Sequence, residues 1–312
     1  MPELPEVEHL RRTLEPLVVG AVVGTVNLRR RSIVRAPKRG RVDPVRLLAG
    51  RRIIGLDRRG KQLAILADSG GVLVIHLGMT GRLFVRPDPR DAPRRATPSV
   101  APRTTPDAAP YAALEEPDSL DHVHCIWRLH RPGGRTSAMI FRDPRRFGGL
   151  WCIDSREELL ASRWTELGPD ALAVTPADLM TRLGASRRAV KAALLDQHAV
   201  AGVGNIYADE ALHRAGIHPM RRAALLQMSD WERLADAIRT VMGEALRSGG
   251  STLRDYVDAE GRPGEFAWRH RVYGRGGEPC LGCDSRLRSI TVAQRTTVYC
   301  PTCQPMARNR KR

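Results

Sequence analysis

Two parts of this chain carry residue types whose spacing could do chemistry: its opening residues and its tail. The chain begins Met1-Pro2-Glu3-Leu4-Pro5-Glu6-Val7-Glu8. Removal of the initiator methionine ahead of proline is expected, and it leaves Pro2 with a free secondary amine. An α-amino group titrates at about 7.7–8.0, so much of it is unprotonated near neutrality. Such an amine can attack a carbon at the carbonyl level and form an iminium, as Schiff-base lysines do. Glu3 and Glu6 flank it, one able to donate a proton and the other to hold the terminus. A plainer reading stays open: carboxylates in a helix's first turn complement its dipole whatever else they do.

In the tail, four of the six cysteines form two CxxC pairs, Cys280/Cys283 and Cys300/Cys303, with 16 residues between the pairs. Cys125 and Cys152 stand alone. In a reducing compartment the four read as a metal site rather than as disulfides. Four thiolates close a tetrahedral Zn²⁺ site with no open position, so the expected zinc is structural and not catalytic. Lysine supplies a further clue. Only Lys38, Lys61, Lys191 and Lys311 stand among 51 basic side chains. Lysine can give up its proton at accessible cost and arginine cannot, so a retained lysine invites a functional reading. Lys61, in Arg58-Arg59-Gly60-Lys61-Gln62-Leu63, is the candidate; an ordinary surface-strand lysine is the alternative.

These residues need elements to position them. Leu4, Val7, Leu10, Leu14 and Leu17 recur every three or four positions, which predicts a helix with one apolar face. Pro5 suits its first turn. From about residue 21 to 86 short β-branched runs predict strands, and Leu63–Leu66 and Val72–Ile75 flank Asp68-Ser69-Gly70-Gly71 as a hairpin. Residues 86–119 hold eight prolines and read as a mobile surface insertion. Strand texture resumes at Val123–Leu129 and Ser137–Phe141 and ends near Cys152. Helical periodicity follows from about 155. Val190–Leu195 and Ile206–Ala215 form two helices joined by Ala201-Gly202-Val203-Gly204, with Asn205 at the N-cap. Trp231–Arg247 forms a third, closed by Gly249-Gly250.

A net charge of +17 and a pI near 10.7 imply a polyanionic partner, nucleic acid first and an anionic membrane surface second. No apolar run reaches the roughly 20 residues that span a bilayer. The acidic opening lacks the order of a secretory signal. A cytoplasmic protein is expected.

The opening eight residues resemble, position by position, those of the bacterial formamidopyrimidine-DNA glycosylase family, and the likeness extends along most of the chain, residues 86–119 excepted. That resemblance implies that Pro2 is the Schiff-base nucleophile at the sugar C1′, Glu3 the general acid and Glu6 a supporting carboxylate. Lys61 then stands at the family's β-elimination lysine and Arg295, in Gln294-Arg295-Thr296-Thr297, at its δ-elimination arginine. His76-Leu77-Gly78-Met79-Thr80-Gly81 and Asp143-Pro144-Arg145-Arg146-Phe147-Gly148 resemble its two wedge loops. By that likeness Met79, Arg145 and Phe147 enter the base stack, with Arg145 facing the orphaned base. Wedges of this kind fill the hole left by an extruded base, and an arginine can donate two hydrogen bonds to one base edge. Arg146 and His122 join the DNA-binding set. The stretch Asp196–Pro219 resembles the helix–two-turn–helix, where helix N-termini around glycines offer N–H groups to a phosphate. Asn205 adds a donor, and Arg187, Arg188 and Lys191 lie near the DNA backbone. Gly261–Phe266 resembles a loop that closes over the extruded base. Leu120 departs from the pattern, which usually has a histidine there.

The fold implied is α+β and multidomain. Residues 1–152 form an N-terminal β-sandwich preceded by a helix, 153–271 a helical helix–two-turn–helix domain, and 272–312 a C-terminal zinc β-ribbon with a basic tail. The function implied is a bifunctional glycosylase and abasic-site lyase of base excision repair. It removes oxidised purines (8-oxoguanine, formamidopyrimidines) from double-stranded DNA and cleaves the strand by β,δ-elimination. The expected protein is a bacterial, nucleoid-associated monomer with one structural zinc and no membrane. Two alternatives remain: an endonuclease VIII-like enzyme for oxidised pyrimidines, which typically has Gly where Leu4 stands, and a non-catalytic zinc DNA-binding protein.

Overall fold

A computed structural model describes residues 2–35, 43–87, 121–253 and 256–306. The opening periodicity gives helix α1, Leu4–Val18. Its first turn is closed by a capping box between Glu3 and Glu6, with Pro5 where its missing N–H costs nothing. Eight strands then form two antiparallel four-stranded sheets. One has the order β1 (Val22–Leu28), β6 (Val123–His130), β7 (Thr136–Arg142), β5 (Arg82–Pro87). The other has the order β2 (Ile53–Arg59), β3 (Gln62–Ala67), β4 (Val72–His76), β8 (Gly149–Ile153). The expected hairpin is β3–β4, with Leu63 opposite Ile75.

The two sheets and α1 share one core. Val7, Leu10 and Leu14 of α1 meet Leu63, Ile65, Leu73 and Ile75 from one sheet and Trp127, Met139 and Phe141 from the other. Each fully buried leucine contributes about 1.5–3 kcal/mol, so this face alone fixes α1 on the sandwich. Leu4 belongs elsewhere. It packs into a second core with Val203, Ile206, Tyr207 and Trp231. Helix α1 therefore begins in the helical half and ends in the sandwich, and the chain's start lies at their junction.

The helical half comprises α2 (Arg156–Ala161), α3 (Pro176–Leu183), α4 (Val190–Leu194), α5 (Asn205–Ala215) and α6 (Met228–Arg247). Helix α6 starts three residues earlier than its periodicity suggests, because Gln227 and Asp230 form a capping box ahead of Trp231. Strands β9 (Arg288–Val292) and β10 (Arg295–Tyr299) form the terminal ribbon. Ala293 and Gln294 both take positive φ, 48° and 59°, the signature of a two-residue type I′ hairpin turn. The α+β architecture of sandwich, helical half and ribbon is the one expected. Of the insertion, Arg86 and Pro87 complete β5, and 88–119 lie outside the described residues, as does Leu120. Among the described residues no helix is long and apolar enough to cross a membrane.

Candidate active site and nucleic-acid interface

The start of the chain is held by its own second carboxylate. Glu6 Oε2 accepts the Glu3 backbone N–H at 2.8 Å, and Oε1 accepts from Ser251 N at 2.7 Å and from the Tyr207 hydroxyl. Burial, followed by the neighbouring Glu3 charge, raises the Glu6 carboxyl above its ordinary range. Glu3 turns the other way, onto the N-terminus of α5: its Oε1 accepts Ile206 N at 2.9 Å and Oε2 accepts Tyr207 N at 3.4 Å. Leu4 N donates to Gly202 O at 3.2 Å. The glycines make this contact sterically possible. A Cβ at Gly204 would lie 2.3 Å from Glu3 Cδ, and one at Gly202 would lie 2.4 Å from Leu4 Cδ1.

Two expectations are corrected here. The N–H groups of Ile206 and Tyr207 at the start of α5 are not open to a phosphate, because the Glu3 carboxylate takes them. Asn205 is the first helical residue rather than the N-cap, which is Gly204; its Nδ2 donates instead to Thr296 O in the ribbon at 3.1 Å.

Lys61 joins the same cluster. It is buried, and its Nζ donates to Val203 O at 2.9 Å. Desolvation pushes its amine below the ordinary lysine value; Glu3 and Glu6 pull it back up while Arg295 pushes it further down. Arg295 itself is exposed, on the first residue of β10 beside the ribbon turn. Pro2, Glu3, Glu6 and Lys61 are all buried, and they meet where the sandwich, the glycine loop and the ribbon tip converge.

Lys191 is the third correction. It does not lie on a basic surface but is fully buried, its Nζ 2.7 Å from Asp209 Oδ1 and 2.7 Å from Thr297 Oγ1. Asp209 Oδ2 in turn accepts Val298 N at 3.0 Å. Desolvation drives both partners toward neutrality, Asp209 up to about 6 and Lys191 below its ordinary value, against their mutual attraction. The pair docks β10 onto α4 and α5 and so fixes the Arg295 turn relative to Lys61. Arg187 and Arg188 are exposed, the latter 3.2 Å from Asp196.

The wedge candidates lie on two adjoining turns. Met79 is 36% exposed and Phe147 53%, and the Arg145 guanidinium sits 4.8 Å from the Phe147 ring centre. Arg146 and His122 are exposed and take positive φ, 59° and 61°. Gly261, Arg262, Pro263 and Glu265 are exposed, whereas Gly264 and Phe266 pack inward: a Cβ on Gly264 would lie 2.3 Å from Gly250 O, and Phe266 is buried beside the Tyr207 ring.

The four cysteine Sγ atoms lie within 4.8 Å of one another, with Cys283–Cys300 and Cys283–Cys303 at 3.4 Å and Cys280–Cys303 at 3.9 Å. A tetrahedral ion with Zn–S bonds of about 2.3 Å sets these edges at about 3.8 Å, so the donor set fits Zn²⁺. Gln304 ties the site to the helical half, accepting Cys300 N and donating to Ile217 O, each at 2.9 Å.

Sequence reasoning did not single out Tyr207, Ser251, Tyr256 or His270. Tyr256 donates to Glu6 O at 3.0 Å, and His270 Nε2 lies 2.9 Å from Ser251 Oγ. Tyr207 lies within the Asp196–Pro219 stretch, and its type, a phenol three residues past the glycine loop, was the available signal.

A sandwich, a helix–two-turn–helix segment and a four-cysteine ribbon closing on a buried chain start define the zinc-finger class of DNA glycosylases. Residues 1–150 match the formamidopyrimidine-DNA glycosylase N-terminal domain, 167–257 the formamidopyrimidine-DNA glycosylase H2TH domain, and 277–305 the zinc finger found in FPG and IleRS. The formamidopyrimidine-DNA glycosylase of Solibacter usitatus is 39% identical over 307 residues, covering 97% of this chain and 99% of its own. That of Xanthomonas campestris is 42% identical over 308 residues, covering 97% and 100%. Among solved structures, the MutM (Fpg) protein of Thermus thermophilus superposes with TM-score 0.77 at 39% identity, covering 98% of this chain and 100% of its own. Lactococcus lactis Fpg in complex with abasic-site DNA gives 0.79 at 31%, covering 97% and 100%. The chain belongs to the formamidopyrimidine-DNA glycosylase family.

Proposed function

We propose that this chain, acting as a monomer on duplex DNA, excises oxidised purines such as 8-oxoguanine and formamidopyrimidines and then cleaves the strand at the abasic site. The observation that carries this reading is the burial of Pro2, Glu3, Glu6 and Lys61 together at the junction of the two cores. With Met1 removed, the Pro2 nitrogen attacks the sugar C1′, the N-glycosidic bond breaks, and the base leaves with a proton. Glu3 is the acid that assists at the deoxyribose. Protonation of the ring oxygen then breaks the C1′–O4′ bond and opens the adduct to an iminium, which acidifies the C2′ proton. Its abstraction expels the 3′ phosphate, and a second elimination expels the 5′ phosphate, leaving a one-nucleoside gap. Lys61 and Arg295 are the acids for the two eliminations. The lowered lysine value suits Lys61 to proton transfer.

Met79, Arg145 and Phe147 fill the space left by the extruded base, with Arg145 reading its partner. Arg146, His122, Asn205, Arg187 and Arg188 contact the DNA backbone, and zinc braces the ribbon. The work divides among three units, 1–152, 153–271 and 272–312, and a cationic protein of this kind associates with the nucleoid. Borohydride reduction in the presence of an 8-oxoguanine or abasic duplex is the test. The protein should become covalently joined to DNA, and a Pro2→Gly variant should lose most of that trapping. Full trapping by the variant, or an adduct mapped to another side chain, rejects the assignment. Rates on 8-oxoguanine and thymine-glycol duplexes separate this reading from a pyrimidine-directed enzyme.

A further inference from the structure

The two turns that carry the wedge residues are joined by a buried carboxylate. Asp143 is wholly buried. Its Oδ1 accepts the Thr80 hydroxyl at 2.6 Å and its Oδ2 accepts Gly148 N at 2.7 Å. Thr80 Oγ1 in turn accepts Arg145 N at 3.2 Å. The Asp143 carbonyl accepts Arg146 N at 3.2 Å and His124 Nε2 at 2.8 Å, and Asp143 N donates to His122 O at 3.0 Å. The backbones themselves touch: a Cβ on Gly78 would lie 2.4 Å from both Gly148 N and Phe147 C. Thr80 thus stands directly after Met79 and bonds both the carboxylate and the backbone of Arg145.

We infer that Asp143 and Thr80 are positioning residues that make the Met79 turn and the Arg145–Phe147 turn one preassembled wedge. The alternative is two loops that order independently on DNA. Three exposed side chains inserted into one stack must arrive in register, and an error of an ångström in such placement costs orders of magnitude in rate. A hydroxyl that accepts from one turn while donating to a carboxylate anchored in the other fixes that register before DNA is met. His124, from β6, holds the Asp143 backbone carbonyl, while the Thr80 hydroxyl and Gly148 N hold the carboxylate itself. This inference rests on the proposed wedge role of Met79, Arg145 and Phe147.

Thr80→Val keeps the shape and removes the hydroxyl; Thr80→Ser keeps the hydroxyl. Single-turnover excision of 8-oxoguanine opposite cytosine should fall between about 10- and 100-fold in Thr80→Val and recover in Thr80→Ser. The preference for cytosine over adenine opposite the lesion should shrink with it. Borohydride trapping on a preformed abasic site in single-stranded DNA, where there is no partner strand to wedge, should stay at the unmodified level. Unchanged duplex excision and opposite-base preference in Thr80→Val overturns the inference. Absence of trapping by the unmodified protein instead removes the parent reading. If Thr80→Val loses trapping as well, the fold has been disturbed, and a Met79→Ala/Phe147→Ala cycle decides. A preassembled wedge makes the double variant lose much less than the product of the single losses; multiplicative losses overturn it.

Discussion

Arg58 is the side chain whose removal most directly tests how the two halves are joined. It lies on β2 with its side chain 8% exposed, and it holds Glu8 of α1 at 2.9 Å through Nε. Its two Nη atoms grip Asp170 at 2.6 and 3.1 Å, and Nη1 also donates to Gly60 O at 2.9 Å, next to Lys61. Substitution by Met keeps the stem and deletes the fork. Removing one partner of a buried ion pair costs about 3–5 kcal/mol. Here the remaining charges are not orphaned. Glu8 keeps Arg11 and Arg12, Asp170 keeps the N–H groups of Gly60 and Leu172, and the Asp170 side chain is 23% exposed. Discounted for those partners and for solvent, Arg58→Met should cost about 2–3 kcal/mol, a fall in Tm of about 5–10 °C.

The pH dependence gives the sharper check. Burial raises the Glu8 carboxyl, but hydrogen bonds from Arg11, Arg12 and Arg58 outweigh it and hold the group down at about 2 against an ordinary 4.5. A carboxyl whose folded pKa is depressed adds stability that is present above its unfolded value and lost as pH falls toward the folded one. In Arg58→Met the folded value rises toward the ordinary range, so less remains to be lost. The difference between the two proteins should therefore be largest at pH 6–7 and narrow as pH falls from about 4.5 to about 2. Urea denaturation followed by circular dichroism at both ends of that window measures it. A difference below about 0.5 kcal/mol at neutral pH, or one that does not change with pH, refutes the reasoning.

The salt dependence of DNA binding separates the exposed basic residues from the buried one. Arg187→Ala should lower the slope of log affinity against log salt by about 1, and Lys191→Met should leave the slope unchanged while lowering stability. Fluorescence anisotropy across a salt series reads both. Zinc removal should unfold the ribbon, because among the described residues its own buried core is Val272, Leu287 and Val298 beside Cys280 and Cys300. Limited proteolysis after chelation should open residues beyond about 272, and incision products should shift from the doubly to the singly eliminated end as Arg295 is displaced. Protection equal to that of the metal-loaded protein would show the zinc to be dispensable.

How much of this was legible in the sequence depended on distance along the chain. Helix α1, the β3–β4 hairpin and the two CxxC pairs are local patterns, and they were read correctly from spacing alone. The opening residues were legible as a candidate site because Pro2, Glu3 and Glu6 lie within one turn; the capping box between the two carboxylates appears only in the structure. What could not be read were contacts between residues far apart: Arg58 with Asp170, Glu6 with Ser251, Asn205 with Thr296. No periodicity encodes a partner a hundred positions away. Lys191 is the instructive miss. The scarcity of lysine that singled out Lys61 applied equally to it, and both prove to be buried amines with lowered values. Its place just after Arg187 and Arg188 pointed instead to a basic run beside the DNA backbone. Asp143 and Thr80 were likewise quoted within motifs, yet only the fold shows that they face each other.

The nucleophile proposed at the start of the chain faces a physical difficulty, because termini fray unless tied down. This fold ties the start to both of its cores. Leu4 is buried among the helices while Val7, Leu10 and Leu14 are buried in the sandwich, and Glu3 and Glu6 bond to α5 and to the Ser251 turn. Two consequences follow from that arrangement. Any displacement of one core against the other must move the residues between Glu3 and Val7, so the two cores and the chain's start are mechanically coupled. And the glycine loop cannot be separated from the chemistry, since a side chain at Gly202 or Gly204 would strike Leu4 or Glu3 before it met any phosphate.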